Sequence, residues 1–272
     1  MSQSLIDAFV GRLVREPAVL VSVASTQGSV PREAGAWMGV FADGSSIGTV
    51  GGGHLEFEAI QIAQRAFGGE ALVPSRRFAL GPSLGQCCGG VVHLSFERLG
   101  PLAVASVQER LSAAADAQRL PVALFGGGHV GHAIVGALMP LPVRLQWIDS
   151  REEVFPTGLP RWVAPEHSAP VHAAVAELAV GVCVLIMSFS HAEDLDIVAA
   201  CLQRQRERGD LRFIGLIGSQ SKWASFRQRL EARGFSATEL AQVTSPIGVG
   251  GVVGKEPAVI AAAVAAQLMQ LR

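Results

Sequence analysis

Two glycine-rich turns frame what this chain can fold into, and the second is the more constraining. It reads Gly126-Gly127-Gly128-His129-Val130-Gly131 and follows the apolar run Val122-Ala123-Leu124-Phe125. An apolar run this short fits a buried strand, and the helical pattern from His129 to Met139 begins directly after the glycines. A strand, a G-x-G-x-x-G turn and a helix start place backbone N–H groups where an anion meets the helix dipole. The next strand pattern, Val143 to Asp149, ends in an acid at the place where dinucleotide folds bind a ribose hydroxyl. Strand patterns at Val182–Ser188 and Phe213–Ile217 alternate with helical ones at Glu193–Arg208 and Ser219–Gly234, and a last helix begins at Pro257. The expectation for 121–272 is an α/β, Rossmann-like, doubly wound parallel sheet.

The first hundred residues have a different grain. Ala18–Ala24, Ala36–Phe41, Arg76–Leu80 and Val91–Phe96 read as strands, with helices near Leu5–Arg15 and His54–Phe67. We expect a small α+β domain over 1–100 and a helical connection over 101–120. Three segments in this half carry chemistry. Gln27 to Gly35 is a compact turn with a cation, Arg32, able to clamp a phosphate or pair with Glu33 or Glu56. Gly51, Gly52 and Gly53 precede a helix, with His54 and Glu56 beside them, and form a second candidate anion site. Cys87 and Cys88 lie between Gly85-Gln86 and Gly89-Gly90; they supply soft sulfur for a metal or for sulfur chemistry, or form a tight loop with one thiol tucked beneath.

Other positions have two readings each. His129 and His132 are three apart on one helix start, but two histidines without nearby acids make a poor zinc site. His191 follows a buried strand at the end where open α/β sheets bind ligands, while Ser190 and the acids after it also make an ordinary helix start. Ser219, Ser221 and Lys222 either hold a phosphate or form a plain strand-to-helix turn.

Composition narrows the classes. A net charge of −1 with scattered basic residues argues against nucleic acid as a partner. No uninterrupted apolar run reaches spanning length, and the expectation is a soluble, cytoplasmic protein with no membrane partner. The four cysteines fit no secreted disulfide framework; Cys183 and Cys201 lie in apolar patterns and read as small buried hydrophobes. The chain has no Tyr and only two lysines, so the Tyr-Lys pair of many NAD(P)-dependent oxidoreductases has no candidate.

Taken in order, Gly28-Ser29-Val30-Pro31-Arg32-Glu33-Ala34-Gly35, Gly48 to Gly53, Gly85 to Gly90, the Gly126 turn and Phe213 to Ser219 resemble the XdhC/CoxI family along nearly the whole chain. The resemblance implies a chaperone for the molybdenum cofactor that is not itself part of the mature enzyme. Such a protein binds the molybdopterin form as cargo, shields it while a cysteine desulfurase supplies the sulfido ligand, and passes it to the molybdenum subunit of apo xanthine dehydrogenase. It also implies a homodimer. On that likeness the candidate cofactor-binding residues are Arg32, Gly51, Gly52, Gly53, His54, Cys87, Cys88, Gly126, Gly128, His129, Gly131, Asp149, His191 and Ser219, with Cys87 and Cys88 as ligands to molybdenum or carriers of sulfur. One stretch departs from the family: after Ser245-Pro246-Ile247-Gly248, relatives continue with a more acidic, Thr-containing run, whereas this chain has Val249 to Glu256 with a cation at Lys255. Two rival readings are an NAD(P)-dependent oxidoreductase built on the Gly126 turn and a sulfur-transfer enzyme built on the cysteine pair.

Overall fold

The computed structural model describes residues 3–81 and 89–272; the segment 82–88, which bears Cys87 and Cys88, lies outside the described residues. The chain forms two compact units, Met1–Gln118 and Arg119–Arg272. The first contains α1 (Gln3–Leu13), β1 (Ala18–Gln27), β2 (Trp37–Phe41), β3 (Ser46–Gly48), α2 (Gly53–Phe67), β4 (Ser75–Ala79), β5 (Val91–Leu99) and α3 (Val104–Ala117). Its sheet runs β3-β2-β1-β5-β4, with antiparallel pairing throughout.

Period-two alternation decides which residues of this sheet meet which helix. Val19, Val21 and Val23 of β1 join Leu94, Phe96 and Phe78 in a core with Leu55, Ala59 and Ile62 of α2. The intervening Leu20, with Leu99 and Trp37, packs on Phe9 and Leu13 of α1 and Val107 and Leu111 of α3. Residues 101–120, read from sequence as a connection, thus contribute a helix to the core of the first unit.

The second unit contains β6 (Leu120–Phe125), α4 (His129–Leu138), β7 (Val143–Asp149), β8 (Val163–His167), β9 (Cys183–Ile186), α5 (His191–Arg208), β10 (Phe213–Leu216), α6 (Gln220–Ala232), α7 (Ala237–Leu240), β11 (Val243–Thr244) and α8 (Pro257–Gln270). The sheet order is β11-β10-β9-β6-β7-β8, parallel at every pair. This is the doubly wound Rossmann order, with its direction reversing between β6 and β9. Alternation again builds two cores. Val122, Leu124, Cys183 and Leu185 face α4 and α8, while Ala123, Phe125, Val184 and Ile186 face α5 and α6. Cys183 and Cys201 are both fully buried, and burial pushes their thiols up to about 11 and about 12. They are packing residues, as their apolar surroundings in the sequence suggested.

The β9 strand is shorter than the apolar run from Val182 to Ser188. Met187 still donates to the Phe125 carbonyl, but the Ser188 amide leaves the ladder for the Asp194 carboxylate at 2.7 Å. The short strands β3, β8 and β11 were not apparent in the sequence. β8 is an edge strand containing Pro165 with three of its five residues exposed, and β11 has two residues, so neither has an alternating pattern long enough to read.

Candidate functional site

In the first unit, three motif loops converge. A Cβ added to Gly51 would stand 2.5 Å from the Pro31 side chain and 3.8 Å from Cγ of Arg32. One added to Gly90 would stand 2.3 Å from the Ser29 carbonyl and 2.6 Å from that of Gln27. The 27–32 turn is therefore seated between the Gly51 loop and the strand start that follows residues 82–88. Leu80 donates to the Gly90 carbonyl at 2.8 Å, tying together the two flanks of that segment. Cys87 and Cys88 themselves fall outside the described residues.

The three successive glycines have φ of 139°, 73° and 59°, a run that only glycine sustains without strain. What the loop's amides do was not legible in sequence. Oε2 of Glu56, in the first turn of α2, accepts from the amides of Val50 and Gly52, each at 3.1 Å, and from the Thr49 hydroxyl. The Gly51 amide goes to Thr49 Oγ1 at 3.1 Å. The anion that fills this turn is a carboxylate of the chain itself. His54 is exposed and stands 3.7 Å from Glu58. We expect Glu56→Ala to lower the stability of the first unit by about 1–3 kcal/mol, because two amides lose a charged acceptor, and Glu56→Gln to recover part of it. Urea unfolding of both variants checks this; equal midpoints for wild type and Glu56→Ala would remove the structural role.

In the second unit the three glycines of the fingerprint do three different jobs. Gly126 has φ 131°, and a Cβ there would lie 2.0 Å from the Met187 carbonyl of β9's continuation. Gly131 abuts the turn, its would-be Cβ lying 2.1 Å from the Gly126 carbonyl. Gly128, the cap of α4, meets no atom within 4 Å, and no side chain caps the helix. The first glycine permits the turn, the third lets helix and strand approach, and the second leaves open space before the helix N-terminus. Fully buried Trp147 supports the turn from below, its Nε1 donating to the Gly126 carbonyl at 3.0 Å.

Asp149 is at the end of β7 as expected, but it is turned inward. Its carboxylate is 1% exposed; Oδ2 accepts from the Gly127 amide at 2.5 Å and from Arg151 Nη2 at 3.0 Å, and Oδ1 accepts from the Arg151 amide and Nε, each at 2.9 Å. Burial opposes its ionisation, and the hydrogen bonds from Arg151 and Gly127 outweigh that, leaving its pKa below the ordinary aspartate value. Both oxygens are committed, so a ribose diol would have to displace Arg151, and the fit to NAD(H) is poor on this count. Arg151 continues across the crevice, its guanidinium 4.5 Å from the ring centre of Phe189, which is 67% exposed.

The two serine turns resolve toward capping. Ser190 accepts from the Glu193 amide and Ser219 from the Lys222 amide, each at 3.2 Å. His191 is exposed, with its ring edge toward Phe226. His129 is exposed, and His132 packs edge-on against Trp147 at 4.8 Å between centroids. Among the described residues no group of three His, Cys, Asp or Glu could hold a metal ion. Sequence reasoning missed the Asp194 junction. Its carboxylate takes the Ser188 amide and hydroxyl at 2.7 and 2.8 Å and Lys222 Nζ at 2.6 Å, while Lys222 also donates to the Ile217 carbonyl. A buried acid four residues into a helix is invisible until the neighbouring strand end supplies its partner.

Fold and site together define a two-unit protein in which a glycine-lined α+β unit precedes a Rossmann unit. Residues 122–268 match the XdhC Rossmann domain and residues 13–74 match the XdhC and CoxI family. The chain belongs to the XdhC family. It is 26% identical over 261 residues to the uncharacterized protein YqeB of Escherichia coli (strain K12), a match covering 94% of this chain and 44% of that protein. The chain thus spans less than half the length of this curated relative. Among solved structures it is similar to one described as a xanthine dehydrogenase from Bacillus halodurans, with a TM-score of 0.74 and 18% identity, covering 100% of this chain and 96% of that one. That likeness concerns the fold. No helix among the described residues is long and apolar enough to cross a membrane.

Proposed function

We propose that this protein carries the molybdenum cofactor in its molybdopterin form, protects it during sulfuration by a cysteine desulfurase, and hands it to the molybdenum subunit of apo xanthine dehydrogenase. The observation that supports this best is the convergence of the 27–32 turn, the Gly51 loop and the Gly89-Gly90 flank of the cysteine-bearing segment within one unit. Family membership and the full-length likeness to a structure described as a xanthine dehydrogenase point to the same system. The cargo carries a sulfur-ligated metal, which matches a Cys-Cys pair in kind, and a phosphate, which calls for a cationic seat in the same unit. In this reading Cys87 or Cys88 ligates molybdenum or holds sulfur as a persulfide, the protein performs no turnover of its own, and it works in the cytoplasm as a homodimer.

Anaerobic incubation with the cofactor, gel filtration and assay of molybdenum and pterin in the protein peak test the reading. About one equivalent per chain is expected, falling several-fold in Cys87→Ala or Cys88→Ala. A folded wild-type protein that elutes without cofactor would sink it. The rival reading, an NAD(P)-dependent oxidoreductase, is favoured by the open space at Gly128 but has against it the committed carboxylate of Asp149.

A further inference from the structure

The β1 strand carries an irregularity whose effect is local. Val19, Val21 and Val23 point into the core beneath α2, and by simple alternation Ser25 would follow them. A bulge between Val23 and Ser25 breaks the alternation: Val23 pairs with Leu94, but Ser25 pairs with His93. The hydroxyl is thereby moved to the opposite face, where Ser25 Oγ lies 3.2 Å from His93 Nδ1. Bulges that re-aim one side chain cluster beside binding sites. On the far side of His93, β4 contributes Arg77 in direct register. Ser25, His93 and Arg77 thus form one row across three strands on one face of the sheet.

Among the described residues of the first unit, the helical core does not extend over this end of the face. α1 and α3 cover it as far as Leu99 and the ion pair of Glu97 with Arg110 of α3. Beyond that, Ser95, His93 and Val91 of β5 are half-buried, and Ser25, Gln27, Ser75, Arg77 and Ala79 are exposed. None of these side chains is acidic. On the opposite face Arg76 pairs with Glu58 and lies over Phe78, whereas Arg77 has no acidic partner among the described residues. Where the Ser25 hydroxyl donates to Nδ1, His93 has Nε2 left to donate to a ligand, and Arg77 is its register partner on β4.

We propose that Arg77, His93 and Ser25 form an anion-binding row that takes a phosphate monoester dianion. As the holder of the cargo's phosphate it deepens the carrier reading and rests on it. Arg77 supplies the bidentate charge-assisted contact, His93 the single directed donor, and Ser25 fixes the imidazole tautomer.

The test uses the full chain and inorganic phosphate as probe. Calorimetric titration, with the His93 ring resonances followed in parallel, should show saturable binding that shifts those resonances. Arg77→Gln should weaken binding about tenfold or more, while Arg15→Gln, an exposed arginine after α1, leaves it unchanged. The anaerobic co-elution assay repeated on Arg77→Gln should show reduced cofactor retention. Phosphate affinity that is the same in wild type and Arg77→Gln, or binding without movement of His93, overturns the row even where wild type retains cofactor. Binding at the row by a wild-type protein that retains no cofactor keeps the phosphate site and removes the carrier reading.

Discussion

Arg204→Ala should lower the midpoint of the second unit's thermal transition by about 10 °C, corresponding to a loss of about 3–5 kcal/mol. The side chain is 4% exposed within α5, and its nitrogens are fully engaged. Nε and Nη2 hold Asp210 in a two-pronged pair at 2.8 Å each, Nη1 donates to the Val175 carbonyl at 2.7 Å and more weakly to that of Ala176, and Nη2 also donates to the Leu178 carbonyl at 2.8 Å. One guanidinium thus fastens α5, the turn before β10 and the 3-10 segment Val171–Glu177, which has no ladder of its own. Removing it strands a carboxylate and several carbonyls in a largely dry site, and the unpaired groups, more than the lost pair, set the cost. Arg204→Lys keeps the charge but not the planar fork and should fall between.

The same pair predicts a pH dependence. Hydrogen bonds from Arg204 hold the Asp210 carboxyl below the ordinary aspartate range, against a smaller opposing effect of burial. A depressed folded pKa contributes stability that is complete above the unfolded value of about 4 and is lost as pH falls through the folded one. Wild type and Arg204→Ala should therefore draw closer in stability below about pH 4. Circular dichroism melts at neutral and acid pH check both points; a midpoint shift under about 2 °C at neutral pH would show that the junction is dispensable.

The second large effect concerns the fingerprint glycines. Gly131→Ala is expected to destabilise by about 2–4 kcal/mol, since the new methyl group would lie 2.1 Å from a backbone carbonyl that cannot swing aside. Gly128→Ala is the contrasting case. Its backbone is at φ −79°, ψ −176°, accessible to any residue, and the added Cβ meets nothing. Its stability should stay within about 0.5 kcal/mol of wild type. Any phosphate ligand that approaches the N-terminus of α4 should bind it more weakly. Melting curves for the two variants side by side decide the matter: equal losses would mean that the turn responds to substitution generally, with no division of roles among its glycines.

Much of this was legible beforehand, and for a definite reason. β6, the glycine turn, α4 and β7 are contiguous and each is built from local signals: an apolar run, glycines where the chain must bend, a second apolar run ending in Asp149. Their alternation specifies a parallel doubly wound sheet because parallel strands need a crossover between them. The same holds for the buried thiols of Cys183 and Cys201, whose neighbours in sequence are apolar on both sides. α3 was visible as a helix, but its place in the first unit's core was not, because packing against α1 is a contact between distant segments.

The candidate sites divide along the same line. The sequence by itself determined which loops are glycine-lined, where the longer strands and helices of each unit run, and that β7 ends in an acid. Tertiary structure alone decided how those groups are committed. Asp149 faces the Gly127 amide and Arg151 instead of the crevice mouth, Glu56 occupies the amides of the Gly51 loop, and a one-residue bulge carries Ser25 across the sheet to His93. For Asp149 and Ser25 the deciding partner, Gly127 or His93, comes from another turn or strand, whereas Glu56 folds back on the loop directly before its own helix. Local sequence sets the conformational preferences of a segment, whereas the satisfaction of its buried polar groups is settled only when distant segments are brought within hydrogen-bonding distance.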